Sequence, residues 1–534
     1  MDVKYLFGAN ANKIQKYVFN SNKFKEIVGA SKIIEGLSDG FGLFGSTNDK
    51  KYNAEIIQNT TGSFKAIFSD LESLNKFIID FNKKLAINAP NLLVTQAVLP
   101  KEESEINNNF TSVLQEIDEE LSTNRNFPDI LDYSPMIAEI DPASGFSALK
   151  SAKIDDEVFN SEDILKGGDE SADFEKCAKL SLFKNRSFKS VFGDDIKIAD
   201  IFGEEEKDLA NLNFESEFDK IKNAKSLIAV VHSDGNGTGF LKKDIFSKNF
   251  DNKNDYKEFS YNLNKAVRES ACYAILKTFK DLIDESKRTL PFRIFTLSGE
   301  DFNFVCQPDY VFELLRNYML KYEDLTSKYL GRFLEKAGIK KMTTTAGISL
   351  SKSHFPFYMS FDMAESLCGK AKKITKENIN NGGKQYEVPG TILFHSMQSS
   401  YFSDLDHIMD KERKSHDKSI DFLFGPYAIS AGHSYGFTYP DVGLLIETAK
   451  YIKSEKGLRS AFREALSIIN IEGEELGKNF LRRAREVNSK RMELPLNNIK
   501  KLNDTDYYKK SLAKKSAIYD LISIESSIDA KWSI

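Results

Sequence analysis

The sequence predicts an α+β fold in which one ferredoxin-like order of strands and helices occurs twice and a helical segment follows. Three observations lead there. Apolar strand-length runs and helix-length stretches succeed one another in the order strand, helices, hairpin, helix, strand over residues 5–99. Nearly the same order returns over residues 226–373, and beyond residue 389 the apolar spacing becomes helical.

In the first copy a strand at 5–7 precedes helices at 12–19 and 23–36, a hairpin at 54–68, a helix at 71–86 and a strand at 92–99. The second copy reads as a strand at 226–231, a long helix at 259–284, a hairpin around Gly299, a helix at 310–336, a strand at 342–350 and a helix at 361–373. Between them residues 146–220 are polar and acidic, with Asp155-Asp156-Glu157 and Glu204-Glu205-Glu206, and read as a linker or thumb-like insertion. Helices expected at 439–469, 476–488 and 512–524 make the last part a bundle. The division that follows is 1–145, 146–220, 221–388 and 389–534.

Composition narrows the class. A chain of 534 residues should hold about three domains, and 41% hydrophobic residues, with 41 Phe and 21 Tyr, suffice for large cores. The net charge of -5, from 74 basic and 79 acidic residues, argues against seizing nucleic acid by bulk charge. Cys177, Cys272, Cys306 and Cys368 show no CxxC spacing and no paired histidines, which argues against structural zinc and a disulfide framework. No run reaches the ~18 apolar residues of a membrane span, and no secretory core opens the chain. A cytoplasmic protein with reduced thiols and no membrane partner is the expectation.

The chemistry concentrates in two segments. Ser298-Gly299-Glu300-Asp301 lies between apolar runs, so two adjacent carboxylates should project from a hairpin tip whose backbone Gly299 makes possible. Upstream, the apolar strand 226–233 ends in Asp234, followed by Gly235-Asn236-Gly237-Thr238-Gly239. Hard oxygen ligands at a fixed point suit Mg²⁺ or Mn²⁺. An acid at a strand end beside an acidic hairpin is the ligand set of a two-metal nucleotidyl-transfer site. Asp234 and Glu300 are the expected ligands, with Asp301 sharing a metal or positioning the hydroxyl and the Gly235 carbonyl adding an oxygen. The run Gly235 to Gly239 allows backbone N–H groups near a triphosphate, with Lys242 and Lys243 behind it.

These two segments resemble the palm domain shared by GGDEF-type nucleotide cyclases and the large polymerase-like subunit of type III CRISPR effector complexes. In the latter the motifs are an aspartate followed by glycines and then Gly-Gly-Asp-Asp. Here Ser298 replaces the first glycine and Glu300 the first aspartate; serine is small enough for the turn and glutamate keeps the charge. The first copy has Phe7-Gly8-Ala9 where the second is read as His232-Ser233-Asp234, and Thr60-Thr61-Gly62-Ser63 where the second has Ser298 to Asp301. A degenerate palm paired with an active one is a further point of resemblance, as are residues 12–19 and 23–31. The resemblance covers about residues 1–385.

It implies an enzyme that joins ATP into cyclic oligoadenylate, a second messenger of antiviral defence, with nucleotide contacts from Gly235, Asn236, Gly237, Thr238, Gly239, Ser298, Gly299 and Lys372. It also implies crRNA or target RNA and other type III subunits as partners, or a homodimer. Two other readings stand beside it: a cyclic dinucleotide synthase using GTP, and a catalytically silent scaffold that binds RNA in a ribonucleoprotein. A literal Gly167-Gly168-Asp169-Glu170 has no flanking strands and reads as a decoy in a polar loop. His416-Asp417 lies in the polar run 411–418 and does not support a metal phosphohydrolase. His232 is expected to be a packed histidine, since carboxylate Mg²⁺ sites seldom recruit imidazole.

Overall fold

A computed structural model describes the chain apart from residues 1–2, 20, 22, 39, 41–42, 44–51, 61, 127–149, 152–170, 173–178, 180–186, 193–208, 210, 247–249, 251, 380–382, 398–410, 431–436, 512–513 and 529–534. The fold is mixed α+β and divides into two compact units. One comprises Met1–Arg186, Lys242–Lys265 and Phe295–Gly299, the other Ser187–Leu241, Ala266–Ile294 and Glu300–Ile534.

The first unit is built on β1 (Val3–Ala11), α1 (Ile14–Val18), α2 (Phe24–Ser38), β2 (Ala54–Thr60), β3 (Ser63–Phe68), α3 (Leu71–Asn88), β4 (Val94–Glu102), α4 (Glu103–Asn108) and α5 (Phe110–Asn126). Its sheet runs β2-β3-β1-β4, with β3 and β4 both antiparallel to β1. Successive side chains of β1 leave by opposite faces. Phe7 therefore joins Phe64, Phe68, Phe77 and Phe81 on one face, while Leu6 joins Ile67, Ala97 and the apolar stripe of α5 on the other. Gly8 lets α5 lie close, because a Cβ there would stand 3.1 Å from Ile117 and Leu121. Helix α5 is absent from the sequence expectation, which stops at residue 99. Its Phe110, Val113, Leu114, Ile117 and Leu121 nevertheless carry the helical spacing.

The second sheet uses β5 (Leu227–Gly235), β6 (Phe292–Ser298), β7 (Asp301–Cys306), β8 (Thr344–Lys352), β9 (Thr391–Ser396) and β10 (Tyr427–Ala428), in the order β6-β7-β5-β8-β9-β10. Its first four strands repeat the order of the first sheet. Helices α6 (Thr238–Phe246) and α7 (Lys253–Thr278) follow β5, α8 (Pro308–Ala337) follows β7 and α9 (Phe357–Glu377) follows β8. The stretch Leu227 to His232 is buried throughout, which is why it reads as an unbroken apolar run rather than an alternating one.

Beyond residue 389 the expectation of helices alone is corrected. The six residues of β9 pair in parallel with β8 before any long helix begins. Then come α10 (Val442–Ser454), α11 (Leu458–Glu472), α12 (Glu474–Val487), α13 (Ser489–Asn503) and α14 (Ile518–Ser527). The single helix expected over 439–469 is two, because the chain turns at Gly457, whose φ of +91° is a left-handed conformation that side chains resist. A buried network ties α14 to the sheet. Arg413 binds the Asp520 carboxylate and donates to the Phe394 carbonyl at 2.9 Å, and the Tyr427 hydroxyl donates to Asp520 Oδ2 at 2.6 Å. Cys272, Cys306 and Cys368 are buried free thiols, and Cys177 lies outside the described residues. Among the described residues no helix is long and apolar enough to cross a membrane.

Candidate functional site

Strand register places the acids. Asp234 is opposite Thr345 on β8, and Ser233 is opposite Phe302 on β7, so the next rung sets Asp301 across from Asp234. Between β6 and β7 the chain reverses at Gly299, φ +64°, and presents Glu300. A Cβ at Gly235 would stand 2.8 Å from Glu300 Cβ and 2.6 Å from Thr238 Oγ1. Only a residue without a side chain lets the Glu300 turn and the start of α6 close over the end of β5.

Lys372 completes the cluster from α9. Its Nζ donates to Asp234 Oδ2 at 2.5 Å and to the Gly235 carbonyl at 2.6 Å. The helix comes near enough because β8 carries Gly347: a Cβ there would lie 1.9 Å from the Ala364 carbonyl oxygen. Burial, reinforced by the neighbouring Asp234 and Glu300 charges, pushes the Asp301 carboxyl well above the usual carboxylate range. The same charges, after burial, raise the hydroxyls of Tyr318 and Tyr322 on α8, and neither hydroxyl has a hydrogen-bond partner among the described residues. His232, one rung behind Ser233, is buried edge-on to Phe361 at 5.7 Å; burial lowers it to about 4 and keeps it neutral.

Among the described residues no group of three His, Cys, Asp or Glu side chains is arranged as a ready-made metal site. The donor set nonetheless fits a cation at one point: an Asp234 carboxylate oxygen and the Gly235 carbonyl already converge on the Lys372 ammonium. Hard oxygens that meet a single positive charge are the ligand type Mg²⁺ and Mn²⁺ take.

The glycine run divides by task. Asn236 is 2% exposed and fully engaged, donating to Thr343 Oγ1 and the Pro389 carbonyl and accepting from Thr345 Oγ1, so it fixes the loop. Gly237 has φ +65°, and a Cβ there would crowd the Gln385 and Tyr386 backbone at 2.9 Å. Thr238 opens α6 with a buried Oγ1 that finds no partner among the described residues. Gly239 faces open space.

Register also refines the comparison of the two sheets. In the first, Asn10 is opposite Ser63 on β3 and Thr95 on β4. Asn10 therefore occupies the Asp234 position and Ser63 the Asp301 position, one residue along from the Phe7-Gly8-Ala9 match that the sequence suggests. Ser63 Oγ donates to Asn10 Oδ1 at 2.7 Å, a neutral bond where the second sheet sets carboxylates together. An Asn–Thr bond is kept in both sheets, Asn12 with Thr95 at 2.7 Å and Asn236 with Thr345 at 2.9 Å.

Ser298 and Gly299 close the hairpin but fall with the first unit, as do Lys242 and Lys243 further along α6. The Gly167 to Glu170 decoy lies outside the described residues. Asp417 is an exposed turn residue, lowered to about 2 by hydrogen bonds from Ser415 and Ser419. Sequence reasoning missed Tyr318 and Tyr322, whose spacing on α8 reads as ordinary core. It also missed Glu365, whose charge acts on Asp301. A cavity of about 640 Å³ lies elsewhere in this unit, along the Lys370, Ile374 and Glu377 face of α9.

No family model and no curated protein matches the chain. Solved structures do. A chain of the Csm1–Csm4 cassette in complex with one ATP aligns with a TM-score of 0.53 at 12% identity, covering 99% of this chain and 70% of that one. The cassette in complex with cA3 aligns at 0.52 and 13% identity over 99% and 70%, and Csm1 in T.onnurineus at 0.52 and 13% over 98% and 70%. In the cassette with AMPPNP the chain spans 63% of its counterpart's length. The chain thus has the fold of Csm1 of type III CRISPR Csm complexes, the large polymerase-like subunit that its two carboxylate segments resemble.

Proposed function

We propose that the protein is a metal-dependent nucleotidyltransferase that joins ATP into cyclic oligoadenylate as the large subunit of a type III CRISPR effector. In this reading the second sheet is a catalytic palm, the first a palm whose acids have been replaced, and the C-terminal helices a subunit-contacting module. The observation that carries it is the meeting of Asp234 Oδ2 and the Gly235 carbonyl at one cationic point, with Asp301 on the facing rung and Glu300 packed over Gly235.

Asp234, the Gly235 carbonyl, Glu300 and Asp301 would hold Mg²⁺ or Mn²⁺. Such ions, when bound, lower the charge cost of an attacking ribose 3′ oxygen and a leaving pyrophosphate. Asp301, on the rung facing Asp234, would share a metal or position the attacking hydroxyl. Backbone N–H groups at the start of α6 would face the phosphates, with Gly239 leaving the approach open. The solved Csm1–Csm4 cassettes with one ATP and with cA3 support the nucleotide and the product by likeness of fold alone.

The test is incubation with each labelled NTP and Mg²⁺ or Mn²⁺, with and without RNA, and identification of products by mass. Cyclic product from ATP that disappears in Asp234→Ala and in Glu300→Ala/Asp301→Ala is the expected result. No product from any NTP with RNA present would leave only the RNA-binding scaffold.

A further inference from the structure

Lys372 sits where the reaction needs it not to be. A lysine meant only for phosphate would rest in solvent or against the glycine run, yet this side chain is 15% exposed and its ammonium is bonded to two of the atoms expected to hold the metal. Both are charge-assisted hydrogen bonds, because the donor is an ammonium. A divalent ion about 2.1 Å from those same oxygens would compete for them with an ammonium held 2.5 and 2.6 Å away. Asp234 and Glu300 bear on the Asp301 carboxyl with like charge, and Lys372 is the cation set in their midst.

We infer that Lys372 is a resident counter-cation that makes metal entry conditional on nucleotide. It holds Asp234 and Gly235 until a triphosphate arrives, then its ammonium transfers to the phosphate oxygens and frees both ligands for the metal. The inference rests on the nucleotidyltransferase reading and goes beyond it. Metal and nucleotide would bind as a coupled pair, because each supplies what the other's arrival displaces. The carboxylates are spared bare repulsion in the empty enzyme, and the site does not fill with metal while idle. Among the described lysines of α9 it is Lys372 that bonds to these atoms, while Lys370 lines the separate cavity.

The experiment measures Mn²⁺ binding in the absence of nucleotide by electron paramagnetic resonance of the free ion. It compares the full chain, Lys372→Met, and Lys372→Met/Asp234→Ala, each checked for an unchanged melting profile. Methionine keeps the length of the side chain and removes the charge. Lys372→Met should bind Mn²⁺ at least tenfold tighter than the natural protein, and the double variant should lose that gain. Equal affinity in the natural protein and Lys372→Met, or a gain that survives Asp234→Ala, would overturn the inference, even where the protein still joins nucleotides in Mn²⁺. Absence of Mn²⁺ binding in all three, together with absence of product from every NTP, would overturn the nucleotidyltransferase reading and the inference with it.

Discussion

Replacing Gly347 with alanine tests whether the approach of α9 to β8 places the site. The added Cβ would lie 1.9 Å from the Ala364 carbonyl oxygen and 2.6 Å from the Cys368 amide nitrogen. Ordinary contact begins near 3.4 Å, so the helix must retreat by about 1.5 Å, the difference between 3.4 and 1.9. Overpacking costs roughly 1–3 kcal/mol. Because both opposing atoms are backbone and cannot swing aside, the upper end, about 3 kcal/mol, applies here. At ~2–4 °C per kcal/mol for a unit of this size, the melting temperature should fall by roughly 6–12 °C. The same retreat would stretch the Lys372 bonds from 2.5 and 2.6 Å toward 4 Å and release Asp234. Urea unfolding gives the stability change, and Mn²⁺ binding to the folded variant reports the lysine. A variant within about 0.5 kcal/mol of the natural protein would refute the account, since changes of that size are what neutral surface sites give.

Two further outcomes follow from buried charge. Arg413→Met should cost about 3–5 kcal/mol in urea unfolding, because it leaves the Asp520 carboxylate buried without its partner; part of the loss should return in Arg413→Met/Asp520→Leu. His232 titrates near its ordinary 6.5 in the unfolded chain and at about 4 in the fold. Between those values the unfolded state takes the proton and the folded state refuses it, so stability falls as pH drops. The span corresponds to about 3 kcal/mol. Unfolding free energies from pH 7 to 4.5 should therefore slope more steeply in the natural protein than in His232→Phe, and parallel slopes would refute the burial argument.

How much of this the sequence carried depends on range along the chain. Gly299, Glu300 and Asp301 are readable because turn chemistry and flanking apolar runs are local, and Asp234 because a buried strand stops there. The repeat of strand order was legible for the same reason. Lys372 could be marked on its helix, but its grip on Asp234 spans 138 residues and depends on Gly347, a glycine with no local signal. The one-residue slip in matching Asn10 to Asp234 has a similar cause. Sequence alone aligns apolar runs, whereas the true match is set by the rungs opposite Ser63 and Thr95. Asn236 reads as part of a phosphate loop, yet its partners Thr343, Thr345 and Pro389 lie more than a hundred residues away. Strand β9 was hidden by its shortness among helices.

That short strand governs how the protein could be taken apart. A chain cut at residue 388 would strip β9 from β8 and leave the nine residues of β8 as an open edge, ready to recruit another strand. It would also remove the Pro389 carbonyl that holds Asn236, and so loosen the glycine run at the same end of the sheet. Arg413, Asp520 and Tyr427 then bind the last helix to the same strand. Truncation, domain exchange and fusion at that boundary would therefore fail together, so the second sheet and the C-terminal helices have to be inherited as one piece.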